Sequence, residues 1–427
     1  MNFNEVYKNY DIDNKFDDLI EEAERELEEK FRYHEKISEF NQLKVMKAFN
    51  ENALQSSDFF QATGYGYADT GRDTIEKIFS SIFKAEDSLV RPSIVSGTHA
   101  LSIVLFSLLN HGDKLLSITD DPYDTMQQVI GIAGNKKGSL IEKGVLYDKL
   151  DLDSNNMIKY DEIKDKIDEK TKVVLIQRST GYTQRRAFTI EEIERAIKEV
   201  RKANKDVIVF IDNCYGEFTE TREPIEVGAD IVAGSLIKNL GGGIAITGGY
   251  IVGRKDLIEY CSNTLTAPGI GKDEGLSFGT NRLVAEGLYF APHVVKEALK
   301  VALLFTSVFN KLGYKVTPSL TDPRSDVILA IELNDPEKLK TFCKAIQEAC
   351  SVDSTFVPEA YPMPGYEDPV IMAAGGFVEG ATSELSADGP LRAPFMAYLQ
   401  GGLNYYHGKL ALKIVLDRFD KNNFINK

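Results

Sequence analysis

Cysteine is sparse in this chain of 427 residues, and the four present, Cys214, Cys261, Cys343 and Cys350, form no Cys-x-x-Cys pair. Neither a disulfide framework nor a zinc knuckle is indicated, and a reducing, cytoplasmic compartment is expected. Long hydrophobic runs are lacking too. The best candidate, Leu101 to Leu109, is broken by Ser102 and Ser107 and stops at Asn110, well short of a membrane span. The N-terminal Met1-Asn2-Phe3-Asn4-Glu5 lacks the basic and apolar regions of a secretion signal. Positive charge is in deficit, with 50 Lys and Arg against 65 Asp and Glu, a net charge of −15. That balance argues against nucleic acid or an anionic membrane as partner. No P-loop or dinucleotide fingerprint occurs, nor any internal repeat.

What is present is an ordinary globular composition, 43% hydrophobic, long enough for two or three domains. Phe16, Leu19, Ile20, Ala23, Leu27 and Phe31 recur at helical spacing, with Glu21/Arg25 and Glu26/Lys30 as i,i+4 pairs. Residues 1–55 read as a helical extension. From about residue 70 short apolar runs alternate with helical stretches: Ile94-Val95, Lys114–Ile118, Lys172–Ile176, Val207–Ile211, Ile231–Ala233 and Tyr250–Val252. Thr189 with Glu192 forms a capping-box signal. This alternation implies an α/β fold with a mainly parallel sheet covered on both faces. After Arg282 come a long helix to about Lys311, a strand over Asp326–Leu333, a helix opened by Asp335-Pro336 and a strand near Val370. They read as a smaller α+β domain, with the proline-rich Phe356–Pro369 as an ordered loop. The expected division is 1–55, a large domain over 56–290 and a C-terminal domain over 291–427.

Four segments carry the chemistry. Val95-Ser96-Gly97-Thr98-His99-Ala100 reads as a strand end and small-residue turn opening an apolar helix. Free backbone N–H groups and the dipole there favour an anion, with Gly97 allowing close approach and Thr98 adding a hydroxyl. An N-cap alone would look the same. Asp120-Asp121-Pro122-Tyr123 follows an apolar strand, so Tyr123 could cover a planar ring or simply start a helix. Val207–Ile211 ends in Asp212-Asn213, a carboxylate at the edge where open α/β sheets bind ligands. Asp212 could face a protonated ring nitrogen, a metal or a ribose, or cap the next element. Ala229-Asp230-Ile231-Val232-Ala233-Gly234-Ser235-Leu236-Ile237-Lys238 leads into Asn239-Leu240-Gly241-Gly242-Gly243. A lysine delivered by a strand into a glycine-rich turn, desolvated and near other cations, would have a lowered pKa and form imines.

These segments, in this order, resemble the fold-type I pyridoxal-phosphate (PLP) enzymes of the cystathionine synthase/lyase and methionine γ-lyase group. The match to Ala-Asp-Ile-Val-x-x-Ser-x-x-Lys-x-x-Gly-Gly is specific; the others count in combination. The similarity runs from about Tyr65 to Leu403 and is greatest to the aluminium-resistance proteins, described as cystathionine β-lyase relatives. The resemblance implies a fold-type I PLP-transferase-like architecture. Lys238 would hold the cofactor as a Schiff base and move protons, Asp212 would keep the pyridine nitrogen protonated, and Tyr123 would stack on the ring. Gly97, Thr98 and Ser235 would bind the phosphate. Arg392, in Gly389-Pro390-Leu391-Arg392, would grip the substrate carboxylate, a surface ion pair being the equal alternative.

Departures from the pattern matter. The usual Tyr-x-Arg pair that reaches a neighbour's phosphate is replaced by Tyr65-Gly66-Tyr67 with Arg72 further on. The usual substrate-contacting Ser-Pro-x-Asn-Pro loop stands as Ser179-Thr180-Gly181-Tyr182, beside Arg178, Arg185 and Arg186. His99 replaces a small residue, with core packing the favoured reading. The expected activity is carbon–sulfur lysis of a sulfur amino acid such as cystathionine or methionine, by β- or γ-elimination. The rivals are transamination, aldol cleavage, racemisation or an idle PLP-binding scaffold. The expected partners are a small-molecule amino acid and further copies of the chain, as homodimer or homotetramer with shared active sites.

Overall fold

The computed structural model describes residues 7–363, 366 and 368–425. Met1–Glu5, read above for a secretion signal, and Pro364, Gly365 and Glu367 of the proline-rich loop lie outside these. The large sheet contains β1 (Asp87–Arg91), β2 (Lys114–Ser117), β3 (Leu146–Lys149), β4 (Thr171–Gln177), β5 (Ile208–Asp212), β6 (Ile231–Ser235) and β7 (Gly249–Gly253). Their order is β1-β7-β6-β5-β4-β2-β3, and β7 alone runs against the others.

The apolar runs form strands because both faces are covered. Val173 and Leu175 enter one hydrophobic cluster with Leu101, Leu105 and Ile258, while Val174 and Ile176 enter the opposite one with Phe79, Ile193 and Leu288. Each such side chain, fully buried, contributes about 1.5–3 kcal/mol. The capping box at Thr189 and Glu192 is formed and opens the helix Ile190–Ala203. One expected strand is displaced: Ile94-Val95 lies in the turn after β1. Pro92 follows Arg91, and a proline cannot extend the ladder as a donor.

The second sheet is antiparallel, in the order β10-β11-β12-β9-β8, with β8 Lys315–Thr317, β9 Leu329–Glu332, β10 Val370–Ala373, β11 Ser386–Pro390 and β12 Met396–Gln400. The 35-residue helix Asp17–Glu51 docks along the helix Asn281–Lys311. Its Ile20, Ala23 and Leu27 join the small sheet's cluster, and its Val45 and Ala48 join the large sheet's. Glu21 does pair with Arg25, at 3.8 Å, but Glu26 turns to Lys311 at 2.8 Å. Among the described residues no helix is long and apolar enough to cross a membrane.

Candidate active site

The strands β1, β2, β4, β5 and β6 run the same way, so their C-terminal ends lie along one edge of the large sheet. The residues just beyond those ends surround a cavity of about 300 Å³, which the small sheet closes from the other side. Seven residues singled out in the sequence line it together: Gly97, Thr98, Tyr123, Ser179, Asp212, Ser235 and Lys238.

Backbone bonds place them. Gln177, the last residue of β4, accepts the Tyr123 N–H at 2.6 Å and donates to the Ser179 carbonyl at 3.1 Å. Gly181 has a φ of +57°, and a Cβ there would come within 3.2 Å of the Tyr123 ring. The Asp326 carboxylate, just before β9, accepts the Thr180 N–H and ties this loop to the small sheet.

Asp212 is buried and Lys238 half-buried at the cavity, yet among the described residues neither belongs to an ion pair closer than 4 Å. Lys238 Nζ instead lies 3.9 Å from the centre of the Tyr215 ring. Burial opposes its charge, but Cys214, Tyr215 and the Asp212 carboxylate outweigh burial and hold the amine above its ordinary value. This corrects the expectation of a lowered pKa: the neighbours that decide the direction are acidic groups, not cations. Asp212 is raised by burial, against Lys238 and the Cys214 N–H, which donates to Oδ1 at 3.1 Å.

At the start of the helix Gly97–Leu108, Ser96 caps the His99 N–H at 3.1 Å. A Cβ on Gly97 would stand 3.3 Å from both Cys214 Sγ and Ser235 Cβ, so only glycine leaves the helix start open beside Ser235. The Thr98 hydroxyl lies 3.0 Å from that of Thr125. The donor set suits PLP: a helix N-terminus and two hydroxyls for its phosphate, a half-buried amine for its aldehyde and a buried carboxylate for its ring nitrogen.

The structure does not bring Tyr65, Arg72 or Arg392 into the cavity. Tyr65 is 69% exposed. Arg72 is buried, and within its own subunit its guanidinium donates to the Gly66 and Gly275 carbonyls and to Asp73. Arg392 is exposed on the β11–β12 turn and pairs with Asp368 at 3.0 Å, the surface ion-pair reading. Arg178 and Arg185 are buried staples: Arg178 pairs with Glu220 at 2.9 Å, and Arg185 donates to the Gln177 and Arg178 carbonyls. Arg186 is held by Glu192. His99 packs back on its own turn, its Nδ1 accepting the Val95 N–H.

Sequence reading missed Cys214 and Tyr215, and Asp388, Tyr398 and Gln400 of the small sheet, all lining the cavity. Cys214 and Tyr215 directly follow Asp212-Asn213 and could have been suspected from that neighbourhood; nothing local marks the other three.

A sheet in this order, with a lysine and an aspartate at its C-terminal edge, defines a fold-type I PLP-enzyme architecture. The Escherichia coli PLP-dependent protein YhfS shares that fold, at 17% identity and TM-score 0.62 over 90% of this chain and 96% of its own. Residues 16–420 match the methionine gamma-lyase family, and the chain belongs to it. Bacillus subtilis YnbB, described as uncharacterised, is 47% identical over 92% of this chain and 93% of its own. A Clostridium acetobutylicum structure, provisionally described as a cystathionine beta-lyase involved in aluminum resistance, is 45% identical with TM-score 0.94. That match covers 98% of this chain and 99% of the other.

Proposed function

We propose that this protein is a PLP-dependent carbon–sulfur lyase acting on an amino acid. The observation that carries the reading is the convergence of half-buried Lys238 and buried Asp212, without a mutual ion pair among the described residues, on one cavity beside the open helix start at Gly97. Lys238 would hold the cofactor, with Gly97, Thr98 and Ser235 at its phosphate, Asp212 at its ring nitrogen and Tyr123 against its ring. When bound, PLP supplies an electron sink for charge developing at the substrate Cα. Lys238 would take the Cα proton, being the only lysine or arginine on the cavity wall among the described residues. Asp212 would keep its partner nitrogen protonated, and Ile328, Met372 and Tyr398 would exclude water. Breaking the Cβ–S or Cγ–S bond of a sulfur amino acid would release a thiol and an enamine, whose imine tautomer water hydrolyses to keto acid and ammonia.

The functional unit would be at least a homodimer with shared sites, and a homotetramer accords with the resemblance. Its support is that no arginine lines the cavity among the described residues, together with the exposure of Tyr65 and Tyr67, at 69% and 68%. A stable, fully active monomer in sedimentation would refute this part.

The deciding experiment supplies purified protein with PLP and a panel of sulfur amino acids, with keto acid, ammonia and thiol measured together. Their joint release supports lysis. Keto acid formed only with an amino acceptor indicates transamination, and no turnover across the panel indicates a scaffold.

A further inference from the structure

The small sheet supplies one wall of the cavity, and its chemistry is unlike the rest. β11 and β12 pair with Ser386 opposite Gln400 and Asp388 opposite Tyr398, and all four line the cavity. Ser386 and Asp388 lie two residues apart on one strand, so they share a face. Asp388 is 7% exposed; Gln400 Nε2 donates to its Oδ2 at 3.3 Å and the Tyr182 hydroxyl favours its charged form, while among the described residues no donor meets Oδ1 in hydrogen-bond geometry. The Ser386 hydroxyl, also buried, has no partner among them either. A buried carboxylate oxygen without a donor is costly and marks a place where a ligand donor fits.

Around this wall stand aromatic rings. Tyr182 is centred 5.0 Å from Tyr398 and 5.6 Å from Tyr123. Ring faces are electron-rich and attract a cation, as a carboxylate does. Among the described residues no arginine lines this wall, so within the subunit an anionic substituent would meet Asp388 uncompensated.

We propose that Asp388, framed by Tyr182 and Tyr398, is a specificity residue that selects amino-acid substrates carrying a positively charged group on the side chain. The inference rests on the lyase reading and names the substrate class for that site. The substituent's ammonium donates to Asp388 Oδ1 and lies against the Tyr182 and Tyr398 rings. Burial pushes the Asp388 carboxyl up to about 7, so the selection strengthens above neutral pH.

The test compares near-isosteric probes on the PLP-loaded protein: S-(2-aminoethyl)-L-cysteine, S-propyl-L-cysteine and S-carboxymethyl-L-cysteine. Turnover and calorimetric affinity are measured for the wild type and for Asp388→Asn. The expected result is a preference for the aminoethyl compound of about tenfold or more over both others, lost in Asp388→Asn. An equal or stronger response to S-propyl-L-cysteine, or a preference unchanged in Asp388→Asn, overturns the proposal. If no probe is cleaved, the lyase reading fails, and the affinities alone decide: the same ranking, abolished by Asp388→Asn, sustains the subsite, and equal affinities or no binding overturn it.

Discussion

The Lys238 ammonium lies 3.9 Å from the centre of the Tyr215 ring, and Tyr215 adopts a left-handed φ of 71° in the turn that carries it. A β-carbon is strained in that region, so the turn is held by its surroundings rather than by local preference. The ring, Cys214 and Asp212 together stabilise the charged amine. Only the neutral amine attacks a carbonyl. Uptake of PLP by cofactor-free protein should therefore accelerate as pH rises from about 7 to 9. Asp212→Asn should move that profile to lower pH. Stopped-flow absorbance checks both, and a flat profile in the wild type would contradict the electrostatics.

Asp212→Ala should lower turnover by at least about 100-fold, the usual scale for losing a positioned proton-holding group. Its fold and cofactor content, followed by circular dichroism and absorbance, should stay near wild type. Near-normal turnover in such a folded, loaded protein would count against the role. Borohydride treatment followed by peptide mapping should place the cofactor adduct on Lys238; an adduct on another lysine would sink that assignment.

Arg72 and Arg392 should separate in stability. Removing the buried guanidinium takes one donor from the Gly66 carbonyl, which keeps the Asp69 N–H, and the donor from the half-buried Gly275 carbonyl, at about 1–3 kcal/mol in all. Arg72→Ala should thus lower the thermal midpoint by several degrees with or without PLP. Arg392→Ala breaks only an exposed pair, about 0–1 kcal/mol, and should shift the midpoint little. Calorimetry of the two variants checks this; an Arg72→Ala protein as stable as wild type, defective only in PLP affinity, would restore the phosphate role.

Glu217 lies outside the cavity lining, and burial pushes its carboxyl up to about 8, against the hydrogen bond from Tyr250 at 2.7 Å. Its folded value exceeds the unfolded one, so its contribution is fully present below about 4.5 and is lost as pH rises through about 8. Glu217→Gln carries no such ionisation. The variant should match the wild type near pH 5 and exceed it in thermal midpoint near pH 9, by about 2–5 °C. A constant difference at both pH values would refute the linkage.

The sequence by itself determined β2, β4, β5, β6 and β7 of the large sheet and the residues at its C-terminal edge, but not β1 or β3. Apolar runs such as Val207–Ile211 are legible because a strand covered on both faces needs hydrophobic side chains in succession. Asp212, Ser235 and Lys238 come at or just after strand ends, so strand direction alone delivers them to one edge. The tertiary structure decided the rest. β11, Ser-Ala-Asp-Gly-Pro, has no hydrophobic alternation and becomes a strand only between β10 and β12. Asp388 therefore reaches the cavity through pairings made far along the chain from Lys238. Arg72 stood in the sequence only as a possible stand-in for a phosphate-binding arginine; its acceptors in the Asp273–Gly275 segment lie some two hundred residues later and meet it only in the fold. Periodicity and caps are set by neighbours in sequence; which charge is buried, paired or left facing a cavity is set by segments that meet only when the chain has folded.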